Sequence, residues 1–517
     1  MDVVSIIILS VLLLVLLVAS IYLFVYYSSS EDESPCSGYF SKIVVITGMS
    51  LCWIQILLLP LDVANSRNGG MGIDMNLFWM IIYILLFVLV LFILPITSSI
   101  NECDSDWTFW EKTKHVFCSY FISIFLFVSI ALIGFAFLSK ADIPVVRTNC
   151  SILNIQKSNL VRLNIDNCTK QNSSITINVS FYIFSLALIS FLSWILLTIY
   201  GGIGLASTPM DLLIEYRSKP ECLSKDDLEK KKRALSLQAK EVKDLGIQVK
   251  KFEDDDINKK NSKIFINLVF SADKREYNGI LRNLKAGYLI LNKEYELYKL
   301  QSSFSDESVA YYYVCLIGFI FSLIGSLTWF LHIILYFVVP STTTNVSKSG
   351  SSDFLNPMLN FFANNNMGFI ATALYSLITL YLLSCCIRGC VKFGMRFMCC
   401  MEIHPLIKGD TYIGSIIFNT ILMIILSISL TQFCVDCFRQ YATMTQISMI
   451  FGTQIKYLRF FNFFFKNYIF EYALLSVCLL ATIYLIIKPS DSNSFKGRME
   501  KLEKDDQLLQ ESMNSIN

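Results

Sequence analysis

Nine stretches of this chain are apolar over the length that a helix needs to cross a lipid bilayer. They cover residues 3–27, 43–61, 77–96, 116–138, 179–200, 309–339, 368–387, 412–435 and 468–487. About 20 mostly apolar residues, rising 1.5 Å each, reach across the hydrocarbon layer. A chain of 517 residues would otherwise suggest several soluble domains. Here hydrophobic residues make up 54% and charged residues 16%, against about a quarter charged in an average globular domain. The pattern predicts an all-α polytopic membrane protein with about nine transmembrane helices. The first run has no basic flank and no small-residue cleavage site, so it counts as a span and not as a signal peptide. The ninth begins beside a charge, Glu471.

Two signals orient the chain. Acceptors of the form Asn-x-Ser/Thr stand at Asn149, Asn167, Asn172, Asn178 and Asn345. The first four fall in or beside the connection after the fourth span and the last in the connection after the sixth, which nine crossings place on one side. Asn178 abuts the fifth span and is too close to the membrane for modification. With that side taken as lumenal, 11 of the 43 Lys and Arg residues lie there and 32 lie opposite, as the positive-inside bias requires. The N-terminus is therefore expected outside or in the lumen and the C-terminus in the cytosol, in a plasma membrane or an endosomal or lysosomal one.

The expected organisation is a five-span membrane domain (1–205, with a glycosylated loop at 139–178), a cytosolic loop (206–308), a four-span membrane domain (309–488) and a polar tail (489–517). The loop holds 20 basic and 18 acidic residues. Leu228, Leu235, Val242 and Val249 recur every seven residues, and Ile280, Leu284, Tyr288, Leu291, Tyr295 and Tyr298 step by four and three. Two such stripes around the polar stretch 252–263 predict an antiparallel helical hairpin of coiled-coil type.

Chemistry-bearing residues are sparse. The glycine-rich stretch I-Y-G-G-I-G-L-A-S-T-P-M-D follows a membrane helix and has Ser207 where a dinucleotide loop needs its third glycine. Gly201, Gly202 and Gly204 are instead expected to let the fifth span approach a neighbour closely. Pro209 would then bend the helix as it leaves the bilayer near Asp211. Pro60 can likewise end or kink the second span, with Asp62 accepting from the donors of a following turn or serving as an ion or proton site. His332 and Glu471 are the other intramembrane or boundary candidates, each open to an interhelical hydrogen bond or a transport role.

Cysteines divide by side. Cys150 with Cys168 is the preferred disulfide on the oxidising side, and Cys434 with Cys437 is a second candidate pair. Cys385, Cys386, Cys390, Cys399 and Cys400, among basic residues beside a span, suit S-palmitoylation. Histidine spacing gives no metal motif, no cofactor loop is present, and no nucleophile–base constellation supports an enzyme. A net charge of +2 gives no case for nucleic acid.

Six stretches carry a family likeness: Y-F-S-K-I-V-V (39–45), L-L-L-P-L-D-V-A-N-S-R (57–67), G-G-I-G-L-A-S-T-P-M-D-L-L (201–213), E-I-H-P-L-I-K-G (402–409), S-I-S-L-T-Q-F-C (427–434) and I-F-G-T-Q-I-K-Y-L-R-F (450–460). On these the chain resembles the limb-region, or lipocalin-interacting membrane receptor (LIMR), family in its plant and protist branch. The resemblance implies a nine-span fold with an outside N-terminus. It also implies either a receptor role, as in lipocalin uptake, or a transport role, as in cobalamin export. The expected partners are the bilayer, an extracellular or lumenal ligand and a cytosolic trafficking or signalling partner. A membrane scaffold is the further alternative.

Overall fold

A helix satisfies its backbone polar groups within its own segment, which is what long apolar runs need where water is absent. The computed structural model describes residues 3–29, 37–67, 74–101, 107–150, 168–217, 225–260, 309–338, 353–365, 367–393, 395–397, 401–404, 406, 409 and 411–487, with parts of 279–299. Among these, eight helices are long and apolar enough to cross a membrane. They lie on α1 (Val3–Tyr27), α2 (Ser37–Arg67), α3 (Met75–Val88) continuing through a π-helical turn into α4 (Leu94–Asn101), α6 (Phe181–Arg217), α8 (Val309–Ile333), α10 (Gly368–Phe393), α11 (Ile413–Cys437) and α14 (Ile469–Ile487).

The remaining expected span falls on α5 (Phe109–Leu138), whose apolar part Ile124–Leu138 is shorter than the others. Its N-terminus is fixed by a capping box, in which Thr108 and Glu111 satisfy each other's backbone N–H. The chain enters α5 from the end where Asn101 donates to Ser41 at 2.9 Å. It leaves at the opposite end, where Asp142 N–H donates to the Tyr457 carbonyl at 3.1 Å.

The chain folds as two compact units. One holds Met1–Pro209 with Ser322–Ile487, and the other Met210–Phe321 with Lys488–Asn517. In the first, α11 packs on α2, α4 and α10, and every residue from Leu426 to Cys437 is buried. In the second, α7 (Lys225–Lys260) faces the helical run at 279–299. Gly287 abuts Val242, and Gly246 meets Leu284 at the edge of contact, so the two run antiparallel. Val249 is buried, but Tyr288 and Tyr295 of the expected stripe are 60% and 52% exposed. At about 100° per residue, Tyr288 and Tyr295 stand roughly 60–80° around the helix from Ile280 and Tyr298, at the rim of the facing stripe. The polar stretch is also helical through Lys260.

Helix continues through both prolines, so Pro60 does not end its span. α2 runs through Pro60 to Arg67, and α6 through Pro209 to Arg217. Pro209 has no N–H to offer the Leu205 carbonyl; Ser326 Oγ donates to that carbonyl instead, at 2.8 Å. Five residues before it, Gly204 sits where a Cβ would overlap the Cys385 carbonyl oxygen of α10. Gly389 likewise meets the Tyr200 carbonyl. Two glycines facing each other's backbone set the closest crossing of α6 and α10.

The connection at 139–178 contains a β-hairpin, β1 (Lys140–Cys150) and β2 (Cys168–Asn178), paired antiparallel from Lys140↔Asn178 to Cys150↔Cys168. A second small ladder joins β3 (Met395–Phe397) and β4 (Met401–Ile403).

Candidate functional site

The central helix α11 carries hydroxyls and an amide on both flanks within S-I-S-L-T-Q-F-C. On one side Gln55 of α2 donates to Thr431 Oγ1 at 2.9 Å and accepts from Ser427 Oγ at 2.7 Å. On the other, Ser190 of α6 donates to Gln432 Oε1 at 2.5 Å, and Ser193 bonds Ser429 Oγ at 2.6 Å. Such pairs hold helices together where lipid gives no hydrophobic contrast.

Beyond Cys437 the chain folds back on the bundle as a plug, residues 438–468. It contains α12 (Gln446–Met449), a π-helical turn (Ile450–Ile455) and α13 (Phe461–Lys466). Ile447, Phe451, Ile455 and Leu458 are fully buried, which explains why a connection between spans is so rich in aliphatic and aromatic residues. Phe191 of α6 packs edge-on against Phe461, Phe464 and Phe470, within 5.0–5.5 Å. Three non-glycine residues of the plug, Met444, Phe460 and Tyr468, hold left-handed backbone with φ of 66°, 70° and 54°. Such conformations persist only when packing over-determines them.

Four polar ties fasten the plug. Lys456 Nζ donates to Asp436 Oδ1 at 3.0 Å, and each side chain is 3% exposed. Burial pushes the Lys456 ammonium toward losing its proton, but the Asp436 carboxylate more than offsets this and holds its pKa above the usual lysine value. The Tyr468 ring, 4.6 Å from the ammonium, adds a cation–π contact. Asp62 accepts from Trp79 Nε1 at 2.9 Å and from the backbone N–H of Ile447 at 3.0 Å and Gln446 at 3.4 Å. It therefore caps α12 from another helix, 385 positions away from Ile447, and not a following turn of its own segment. Asn356 of α9 (Leu355–Asn364) donates to the Cys437 carbonyl at 2.9 Å and accepts from Tyr441 N–H at 3.1 Å. Arg67 donates to the Tyr441 carbonyl at 3.1 Å and lies over the Tyr441 ring at 4.5 Å.

The β-hairpin arm is stapled to the same plug. Asp142 N–H donates to the Tyr457 carbonyl and Arg459 N–H to the Lys140 carbonyl, at 3.1 and 3.0 Å. Arg459 Nε also reaches Asp142 Oδ2 at 3.2 Å, while Thr176 donates to Asp142 Oδ1 at 2.6 Å. These two donors hold the Asp142 carboxyl below the usual carboxylate range.

Several buried polar atoms at the plugged end have no hydrogen-bond partner, among them both ring nitrogens of His332, Oε2 of Glu471, Trp329 Nε1 and, within the plug, Asn462 Oδ1. His332 lies between aromatic rings, stacked on Phe438 at 5.6 Å. The two best-formed cavities among the described residues lie elsewhere and are small, about 10 and 20 Å³, roughly the space of one water. No group of three metal-ligating side chains occurs among the described residues.

The sequence-derived candidates thus separate. Asp62, His332 and Glu471 surround the plug. Pro60 lies within α2, and Gly201, Gly202, Gly204, Pro209 and Asp211 lie along α6. Cys434 and Cys437 sit one turn apart within α11 as free buried thiols. Cys385, Cys386 and Cys390 are also free and buried on α10. Asn149 and Asn172 lie on β1 and β2. Asn167, Asn345, Cys399, Cys400 and the tail fall outside the described residues. Sequence reasoning missed Asp436, Lys456, Asn356 and Arg459. The available signal was a lone Asp in C-V-D-C and a lone Lys inside the aromatic I-F-G-T-Q-I-K-Y-L-R-F.

The model of the LMBR1-like membrane protein family matches residues 5–277 and 277–486. This chain belongs to that family. A LIMR family protein of Dictyostelium discoideum is 28% identical, covering 91% of this chain and 95% of its own length. LIMR family proteins of Arabidopsis thaliana and Oryza sativa subsp. japonica are 26% and 24% identical over 90% and 94% of this chain, and 92% and 96% of their own. No solved structure matches the chain. The family match spans the plug, its ties and the arm, so this LMBR1-like protein carries the whole assembly within the matched length.

Proposed function

We propose that this LMBR1-like protein is a multi-pass membrane receptor or trafficking protein whose ligand-facing surface is the arm together with the plug. The observation that carries this reading is the staple between them. Asp142 and Lys140 of the arm are bonded to Tyr457 and Arg459 of the plug, while the arm beyond is exposed, with Val146 at 47% and Ile175 at 54%. A rigid base under an exposed strand pair presents a surface at low ordering cost. The antiparallel helical segments at 225–260 and within 279–299 offer a surface for a cytosolic trafficking partner.

The test replaces residues 144–174 by a short Gly/Ser turn, leaving the staple intact, and follows uptake of a fluorescent lipocalin by cells. Loss of uptake with normal membrane delivery supports the receptor; unchanged uptake rules out the arm as its capture surface.

A transporter is the second reading, favoured by the unpartnered His332 and Glu471 at the plugged end. It requires purified protein in liposomes to move a cargo such as cobalamin faster than empty vesicles do.

A further inference from the structure

We propose that Cys150 and Cys168 form a disulfide that closes the far end of the arm. The ladder places them as directly opposed partners on its last described rung, eleven positions along each strand from the base. Directly opposed residues of an antiparallel pair have Cα atoms about 4.5–5.5 Å apart, inside the range of about 4.4–6.8 Å that a disulfide spans. A slip of one residue would destroy this match, so the register is a specific observation and not a consequence of composition.

The arm also needs such a closure. A two-stranded hairpin on its own is marginal in water. Its base is held by Asp142, Thr176 and Arg459, but Arg147, Thr148 and residues 171–176 are exposed on both strands. Pinning the last rung leaves both ends of the ladder fixed. The reaction is thiol–disulfide exchange with a disulfide-bearing oxidant of the secretory pathway. The two thiols lose two protons and two electrons, the S–S bond forms, and the donor's disulfide is reduced to a dithiol.

The inference rests on the arm facing the oxidising side, the same side that the proposed receptor reading uses. The two cysteines occupy the middle positions of Asn149-Cys150-Ser151 and Asn167-Cys168-Thr169, while Asn172 heads a separate acceptor free of cysteine. Glycosylation at Asn172 therefore reports the side independently of the bond.

The test expresses the full chain in a eukaryotic secretory host, alkylates free thiols before unfolding and maps peptides without reduction. The expected result is a peptide pair joining Cys150 to Cys168 that separates on reduction. In Cys150→Ser, alkylation of Cys168 rises from near zero to near complete. Should that variant fail to accumulate, the wild-type map alone decides. If Cys150 and Cys168 are alkylated without reduction while Asn172 carries a glycan, the disulfide is refuted and the orientation stands. If they are alkylated and Asn172 is bare in protein that reaches its membrane, both the disulfide and the orientation beneath the receptor reading fall.

Discussion

Lys456 and Asp436 form an ion pair of 3.0 Å whose two side chains are each 3% exposed, joining the plug to the last turn of the central helix. Twenty residues separate them in sequence, and the intervening turns are folded so that the two charges meet out of water. Their worth lies in being paired, because either charge alone would be stranded.

Lys456→Met or Asp436→Leu alone is expected to destabilise the protein by about 3–5 kcal/mol, since each leaves one buried charge uncompensated. The double variant is expected to recover most of that loss, because the stranded charge is gone. Thermal unfolding of the detergent-solubilised protein measures all three; equal losses in single and double variants would contradict the argument.

Asp62→Ala removes the acceptor for Trp79 Nε1 and for the Ile447 and Gln446 amides. Each buried donor left without a partner costs about 1–3 kcal/mol. Hydrogen exchange at 446–455 should then rise while exchange along α11 stays slow. Protection unchanged at 446–455 would show that apolar packing alone holds the plug.

Glycine replacements should rank by what the new Cβ meets. At Gly204 and Gly389 it meets backbone carbonyls that cannot yield unless the helices part; at Gly202 it meets the Val477 side chain at 2.9 Å; at Gly414 it meets nothing within 4 Å. Overpacking typically costs about 1–3 kcal/mol. Gly204→Ala and Gly389→Ala are expected at or above the top of that range, Gly202→Ala below them, and Gly414→Ala neutral. Yield and midpoint of thermal unfolding give the order.

Docking of the arm should withstand mild acid. The Thr176 hydroxyl and Arg459 hold the folded Asp142 carboxyl below its unfolded value, which is about 3.9. A depressed pKa gives a contribution that is complete above the unfolded value and lost as pH falls through the folded one. Between pH 7 and 5 the protection factors of residues 140–146 should therefore stay constant on this account, and they should fall only below about pH 4. Asp142→Asn should abolish that acid-dependent fall in protection. A transition in the wild type near pH 6 would point to a different group.

What could be read in the chain followed from local physics. Leu-, Ile- and Phe-rich runs predict helices because only intra-segment hydrogen bonds satisfy a backbone in lipid. The α7 stripe through Val242 and Val249 indicated a hairpin partner for the same kind of reason. The glycines at 201–204 signalled close packing, and the structure identifies α10 as the helix that Gly204 meets. The arm was less legible, because T-K-Q-N-S-S-I-T-I-N alternates weakly and half its side chains have no core to face.

The sequence by itself determined a helical membrane bundle, its family and some of its buried polar residues, Asp62 and Glu471 among them, but not Asp436 or Lys456. Only the tertiary structure decided who their partners are. Asp62 finds amides of the plug, Asp436 finds Lys456, the Leu205 carbonyl freed by Pro209 finds Ser326, and Asp142 finds Arg459. Hydropathy is a property of a segment and can be read along the chain. A hydrogen bond or an ion pair depends on distance, which close packing sets between residues that lie far apart in sequence.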